Sequence, residues 1–70
     1  MTSFQINGQP RRFAPEETPS TLAALLQKLG VAPATVVAEV DGRIVSADQF
    51  ASTPLSDGQA IELIKLVGGG

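Results

Sequence analysis

Hydrophobic and polar residues alternate in short segments along this chain, and one segment between them has helical spacing instead. Phe4 and Ile6 alternate with polar neighbours, as in a short strand over residues 3–6 with one buried face. The helical segment carries a single apolar stripe formed by Leu22, Leu25, Leu26 and Leu29. These leucines fall at positions i, i+3, i+4 and i+7, so the stripe predicts an amphipathic helix that packs against a core.

Residues that favour helix ends flank this stripe on both sides. The helix is expected to begin between Thr18 and Thr21, with Thr18 as the N-cap and Pro19 at the first helical position, or with Ser20 as the cap. Gly30 is expected to end the helix in the left-handed conformation, and Pro33 prevents its continuation.

Three turn signals divide the remaining chain into strands. Asn7-Gly8 favours a type I′ hairpin turn, Asp41-Gly42 is a second hairpin signal, and Asp57-Gly58 indicates a third turn. The predicted strands after the first are Gln9–Phe13, residues 36–40, residues 43–45 and residues 60–67. Pro10 is acceptable only on an edge strand. A short helical turn is expected at residues 47–50, with Phe50 in the core.

The resulting order, β-β-α-β-β-β, predicts an α+β fold. Burying the leucine stripe requires the helix to lie across one face of a mixed sheet. In that layout the first and last strands can lie side by side, which is the ubiquitin-like β-grasp arrangement. We therefore expect one domain over residues 1–67 and a flexible glycine tail over residues 68–70.

Composition removes many kinds of chemistry. The chain has no cysteine and no histidine, which excludes cysteine–histidine zinc sites, disulfides, thiol nucleophiles and serine–histidine pairs. The net charge is −2, and the only aromatic residues are three phenylalanines, which argues against a nucleic-acid partner. No segment has the length of a membrane span or a signal peptide, so we expect a cytoplasmic protein without a membrane partner.

Other polar residues give weaker signals. Two acidic pairs could hold a hard cation: Glu16 with Glu17, and Glu39 with Asp41. Neither pair has a third ligand nearby in sequence, so solvated surface is the favoured interpretation and no metal site is predicted. The two lysines that would be Schiff-base nucleophiles if desolvated, Lys28 and Lys65, are interpreted as surface charge.

The run Gly68-Gly69-Gly70 is the most unusual feature of the sequence. At an average glycine content of about 7%, three in a row at a given place occur less than about once in a thousand. The run is not a phosphate loop, because no helix follows it. It could be a silent flexible tail or a remnant of cloning. Alternatively, a chain end without side chains can enter a narrow channel, and at about 3.3–3.6 Å per residue it reaches about 13 Å from Val67.

In order and spacing, these features resemble the sulfur carrier proteins, in particular the ThiS family of thiamine biosynthesis. The resemblance covers essentially the whole chain. It rests on the strand, Asp41-Gly42 turn and return strand within residues 36–45, on Asp57-Gly58-Gln59-Ala60-Ile61, and on the terminal Gly69-Gly70. Gly68 departs from the family pattern, where bulkier small residues are common, and should only loosen the tail.

The resemblance implies a carrier protein that enzymes act on, not an enzyme. An adenylyltransferase related to ubiquitin-activating enzymes would use ATP to adenylate the carboxylate of Gly70. A sulfur donor protein would then displace AMP to leave a thiocarboxylate, and a thiazole synthase would receive the sulfur. Gly68, Gly69 and Gly70 would enter the partner's active site, and the carrier itself would bind no cofactor.

Partners also need a surface on the folded domain. If Ile61 and Leu63 face the helix, Ile64 and Leu66 lie on the open face of the sheet, and with Val67 they form the predicted partner-binding face. An incidental apolar pair or an oligomer contact are the alternatives. For the whole protein, the alternatives are a carrier for molybdopterin or another sulfur metabolite, and a ubiquitin-like interaction module with a silent tail.

Overall fold

The computed structural model of the protein describes residues 1–66; the predictions for Val67 and for residues 68–70 lie outside this range. Within this range, the fold has five strands and one α-helix: β1 (Thr2–Ile6), β2 (Gln9–Phe13), α1 (Leu22–Leu29), β3 (Val36–Val40), β4 (Arg43–Val45) and β5 (Ala60–Lys65). Three 3₁₀ segments lie between them, at Pro15–Glu17, Pro33–Thr35 and Ala47–Ser52.

The strands form one mixed sheet in the order β2-β1-β5-β3-β4. β1 and β5 are parallel, and the other neighbouring pairs are antiparallel. The first and last strands therefore lie side by side, with β5 at the centre of the sheet. This arrangement confirms the predicted α+β fold of the β-grasp type.

Both hairpins turn at the residue pairs that the sequence predicts. Asn7 and Gly8 have φ values of 51° and 80°, and Asp41 and Gly42 have 51° and 82°. Positive φ at both central residues is the requirement of a type I′ turn, which asparagine, aspartate and glycine tolerate best. β2 is an edge strand, so the position predicted for Pro10 is confirmed as well.

The helix begins later than expected, and Thr21 is its N-cap. The Thr21 hydroxyl accepts the N–H of Ala24 at 3.2 Å. Neither Thr18 nor Ser20 is the cap, because the segment before the helix forms a bridge with residues 53–55. The carbonyl of Ser20 accepts the N–H of Leu55 at 3.0 Å, and the Thr18 hydroxyl donates to the carbonyl of Ala14. These contacts hold residues 18–20 outside the helix.

The other end of the helix and its buried face agree with the sequence. Gly30 follows the last turn at φ 72°, and its N–H donates to the carbonyl of Gln27. The helix covers one face of the sheet and completes a single core with the inward side chains of all the longer strands. The buried members are Phe4, Phe13, Leu22, Leu25, Leu26, Val36, Ala38, Val40, Phe50 and Ile61. Phe50 enters this core from the 3₁₀ segment at Ala47–Ser52, as predicted. In residues 1–66 the α-helix has eight residues, too few to span a bilayer.

Candidate functional site

β5 and the residue that follows it have one face toward the core and one exposed face. Ile61 is fully buried and Leu63 half-buried on the helix side. Ile64 and Leu66 lie on the open face of the sheet and are 51% and 56% exposed. The predicted assignment of these four side chains is confirmed, whereas Val67 lies outside the described residues.

β5 is held along its whole length by β3. The pairing runs from Val40 opposite Ile61 to Val36 opposite Lys65. One residue further, the N–H of Leu66 donates to the carbonyl of Thr35 at 2.8 Å. The chain is therefore fixed to the sheet up to the residue that directly precedes Val67.

The exposed apolar surface extends beyond β5. Val37 lies directly opposite Ile64 on β3, and Ile44 on β4 is 73% exposed. With Leu66, these residues share the open face of the sheet, and we call the four of them the open-face patch: Val37, Ile44, Ile64 and Leu66. Exposed apolar areas bordered by polar residues mark interaction sites on small proteins.

An acidic pair interrupts the open-face patch. Glu39 lies directly opposite Glu62, with Ile44 opposite Glu39 on its other side. Sequence reasoning missed the contributions of Val37 and Ile44. The signal was present, because the two-residue turn Asp41-Gly42 sets the pairing that places Ile44 opposite Glu39.

The side chains of two turn residues form hydrogen bonds that extend the parallel pairing of β1 and β5 beyond the paired backbone. The side-chain oxygen of Asn7 accepts the N–H of Leu63 at 2.7 Å, and its amide nitrogen donates to the carbonyl of Leu63 at 3.2 Å. At the other end, a carboxylate oxygen of Asp57 accepts the N–H of Ser3 at 2.7 Å. The Asn7 side chain thus takes the place that the next residue of a longer β1 would occupy.

The other polar residues considered as candidate site residues either make hydrogen bonds within the fold or are exposed to solvent. A carboxylate oxygen of Asp41 accepts the N–H of Ala60 at 2.9 Å, which links the second hairpin to β5. Glu16, Glu17 and both lysines are exposed. Within residues 1–66 no three aspartate or glutamate side chains come together to hold a metal ion.

The three phenylalanines are all core residues. Phe4 is 1% exposed and Phe50 2%, and Phe13 packs against Phe4 with ring centroids 6.0 Å apart. None of these rings is available on the surface to stack on a base.

Comparison with known proteins relates this geometry to one family. The family model described as ThiS family matches residues 4–70. The crystal structure of the thiamine biosynthesis protein (ThiS) from Geobacter metallireducens is similar with a TM-score of 0.81 and 31% identity, covering 99% of this chain and 100% of that one. The NMR solution structure of a thiamine biosynthesis protein from the same organism is similar with a TM-score of 0.77 and 31% identity, covering 99% and 88%.

A curated relative is much longer than this chain. The thiazole synthase of Paramagnetospirillum magneticum is 35% identical over 65 residues, which is 93% of this chain and 19% of the relative. The chain therefore spans about a fifth of the length of the curated relative it matches.

Proposed function

Because the chain belongs to the ThiS family, we propose that it is a sulfur carrier of thiamine biosynthesis, a protein that enzymes act on and not itself an enzyme. The observation that carries this proposal is the family match, which extends from β1 through Gly70 and so includes both the β-grasp core and the terminal glycines. The resemblance noted in the sequence is confirmed at the level of the family.

The proposed chemistry takes place at the carboxylate of Gly70. A carboxylate oxygen attacks the α-phosphorus of ATP in the adenylyltransferase, and pyrophosphate leaves. A sulfur nucleophile then attacks the carbonyl carbon of the acyl-adenylate, so that the C–S bond forms, the C–O bond to AMP breaks and AMP leaves. The thiocarboxylate sulfur is a better nucleophile than a carboxylate oxygen, which suits it for transfer. ATP binds to the activating enzyme and not to the carrier.

The folded domain would position the C-terminal tail for this chemistry. Hydrogen bonds to β3 hold the chain as far as Leu66, and the open-face patch lies beside that point. We propose that the patch, extended by Val67, binds the partner while Gly68, Gly69 and Gly70 enter its active site. Glycine suits a narrow channel, because it has no side chain to exclude.

The proposed partners are an adenylyltransferase, a sulfur donor protein and a thiazole synthase. The similarity to a segment of a longer thiazole synthase supports the last of these, because that relative carries a region like this chain within the same polypeptide. We expect the carrier in the cytoplasm, where ATP is supplied.

Deletion of Gly70 tests the proposal. The parent chain is incubated with ATP, sulfide and the adenylyltransferase of its own organism, and intact-protein mass spectrometry follows the exchange of oxygen for sulfur. The deletion still ends in a carboxylate, on Gly69, but it is about 3.5 Å short of the reacting position. Since misplacement of even about 1 Å can cost on the order of a hundredfold in rate, we expect no thiocarboxylate from the deletion variant.

Gly69→Val is the complementary variant, because it keeps the length of the tail and adds a branched side chain. We expect it to be folded, with the thermal stability of the parent, and not thiocarboxylated. Thiocarboxylation of the Gly70 deletion at the parent rate would show that the tail is not a positioned substrate, and the carrier proposal would fail.

Ile64→Asp tests the open-face patch, with Gln27→Asp on the exposed side of the helix as a control that adds the same charge. Both side chains are exposed, so both variants should fold. We expect only Ile64→Asp to weaken binding to the adenylyltransferase, as measured by titration calorimetry. Equal affinities of the two variants would remove the patch from the interface.

A further inference from the structure

The hydrogen-bonding directions along β5 can be read from its contacts with β3. The N–H of Leu66 donates to Thr35, and the carbonyl of Ala60 accepts the N–H of Asp41 at 2.7 Å. In an antiparallel pair the residues that bond to the neighbouring strand alternate with those that point away from it. The even-numbered residues of β5 therefore bond to β3. Ile61, Leu63 and Lys65 direct their N–H and C=O groups to the opposite edge, where β1 lies.

β1 covers only part of that edge. The carbonyl of Ile61 accepts the N–H of Asn7 at 2.9 Å, and the backbone of Leu63 is bonded by the Asn7 side chain. At Asn7 the chain turns into the first hairpin, so β1 does not reach Lys65. Within residues 1–66, no strand pairs with Lys65 on this side.

We propose that the edge of β5 at Lys65 accepts an extended strand of the thiazole synthase that receives the tail; this inference rests on the proposed function. The added strand would continue the line of β1 beyond the Asn7 side chain and pair with the backbone N–H and C=O of Lys65. Strand addition to an unpaired sheet edge is a common mode of peptide recognition, in which backbone hydrogen bonds give affinity.

The neighbouring side chains define the chemistry of this strand. Ile64 and Leu66 flank Lys65 and lie on the open face, both more than half exposed. Side chains of adjacent strands on one face lie within contact distance of each other. The partner strand should therefore carry apolar residues on the open-face side, which makes the edge continuous with the open-face patch.

The charge of Lys65 favours a partner over a second copy of this chain. If two copies paired antiparallel about Lys65, the two lysines would lie opposite each other, and like charges at that position are destabilising. The other edges are poorer sites: β4 has only three residues, and β2 carries Pro10. Proline has no backbone N–H to donate, so it interrupts pairing along an edge strand.

N-methylation of a single backbone nitrogen tests the proposal in the chemically synthesised full chain. N-methyl-Lys65 removes the donor and places a methyl group on the edge, away from β3, so the unfolding temperature should equal that of the parent. We expect binding to the thiazole synthase of the same organism to weaken at least about tenfold.

N-methyl-Arg12 is the matched control on the other side of the sheet. Gln9 lies opposite Ile6 beside the two-residue turn, so alternation directs the N–H of Arg12 away from β1 to the free edge of β2. This variant also carries its methyl group at a basic edge residue, and it should bind the synthase like the parent. Equal binding by N-methyl-Lys65 and the parent would overturn the proposal, as would unfolding of N-methyl-Lys65, since its N–H would then face into the sheet.

Amide hydrogen exchange gives a second readout without any substitution. In the free chain the N–H of Lys65 should exchange rapidly and that of Leu66 slowly; in the complex both should exchange slowly. A Lys65 amide that stays unprotected in the complex, or that becomes protected by dimerisation of the free chain, would overturn the proposal. The thiocarboxylation assay separates the carrier function from the strand addition. If the parent gains no sulfur, the proposed function fails. If it gains sulfur but the Lys65 amide stays unprotected in the complex, only the proposed strand addition fails.

Discussion

The side chain of Asn7 offers the sharpest test of how the sheet is held together beside the site. Asn7→Ala removes both hydrogen bonds to Leu63 and places a residue other than glycine or asparagine at φ 51°. Each hydrogen bond contributes a net of about 0.5–1.5 kcal/mol. The left-handed conformation costs alanine about 1 kcal/mol more. We therefore expect a loss of about 2–4 kcal/mol from a domain whose total stability should be about 4–10 kcal/mol.

Asn7→Gly separates the two contributions, since glycine adopts positive φ without strain but has no amide to bond to Leu63. Its loss should be smaller than that of Asn7→Ala by about 1 kcal/mol. Asn7→Asp keeps an acceptor for the N–H of Leu63 and loses the donor to its carbonyl. Its stability should lie between those of the parent and Asn7→Gly.

Urea unfolding followed by far-ultraviolet circular dichroism suits this series, because the chain has neither tryptophan nor tyrosine to report by fluorescence. The slope of free energy against urea should be the same in all four proteins, so that midpoints compare directly. If Asn7→Gly were as stable as the parent, the amide would not be holding β5, and the reasoning about this edge would be refuted.

Three further changes test other parts of the fold. Leu26→Ala should lower the unfolding free energy by about 2–5 kcal/mol, because the side chain is fully buried. Gln27→Ala, on the exposed side of the helix, should change it by less than about 0.5 kcal/mol. Similar losses in the two variants would show that the helix does not bury the face described above. Thr21→Ala should lower the unfolding free energy by about 1 kcal/mol through loss of the cap, and an unchanged unfolding free energy would contradict the role of Thr21 as the N-cap. Glu62→Gln should raise the unfolding free energy by a few tenths of a kcal/mol by removing the repulsion from Glu39, and a lower value would argue against the cross-strand register.

Local signals made most of the fold predictable. The two type I′ turns depend on adjacent residue pairs, and the leucine stripe repeats within one helix, so each could be read from a short window. The start of the helix could not. Thr18, Ser20 and Thr21 are all good caps by type, and the choice depends on the pairing of residues 20–22 with residues 53–55, which are distant in sequence.

The candidate site also has features that local sequence predicts and features that it does not. The exposure of Ile64 and Leu66 follows from alternation along a single strand, and that prediction is confirmed. The hydrogen bond between Asn7 and Leu63 joins residues 56 positions apart, so no local sequence pattern predicts it. The open edge at Lys65 is harder still, because it depends on where β1 ends relative to β5, a relation between two strands and not a property of either.

The central place of β5 has a consequence for how the chain folds during synthesis. β1 is made first, yet its parallel neighbour and the fully buried Ile61 are among the last residues of the sheet to emerge from the ribosome. Until they emerge, the first hairpin and the β3–β4 hairpin have no strand between them. Contacts across such long sequence separations form slowly and only after the closing segment is present. A nascent chain that stops before residue 60 should therefore remain unfolded and open to proteases.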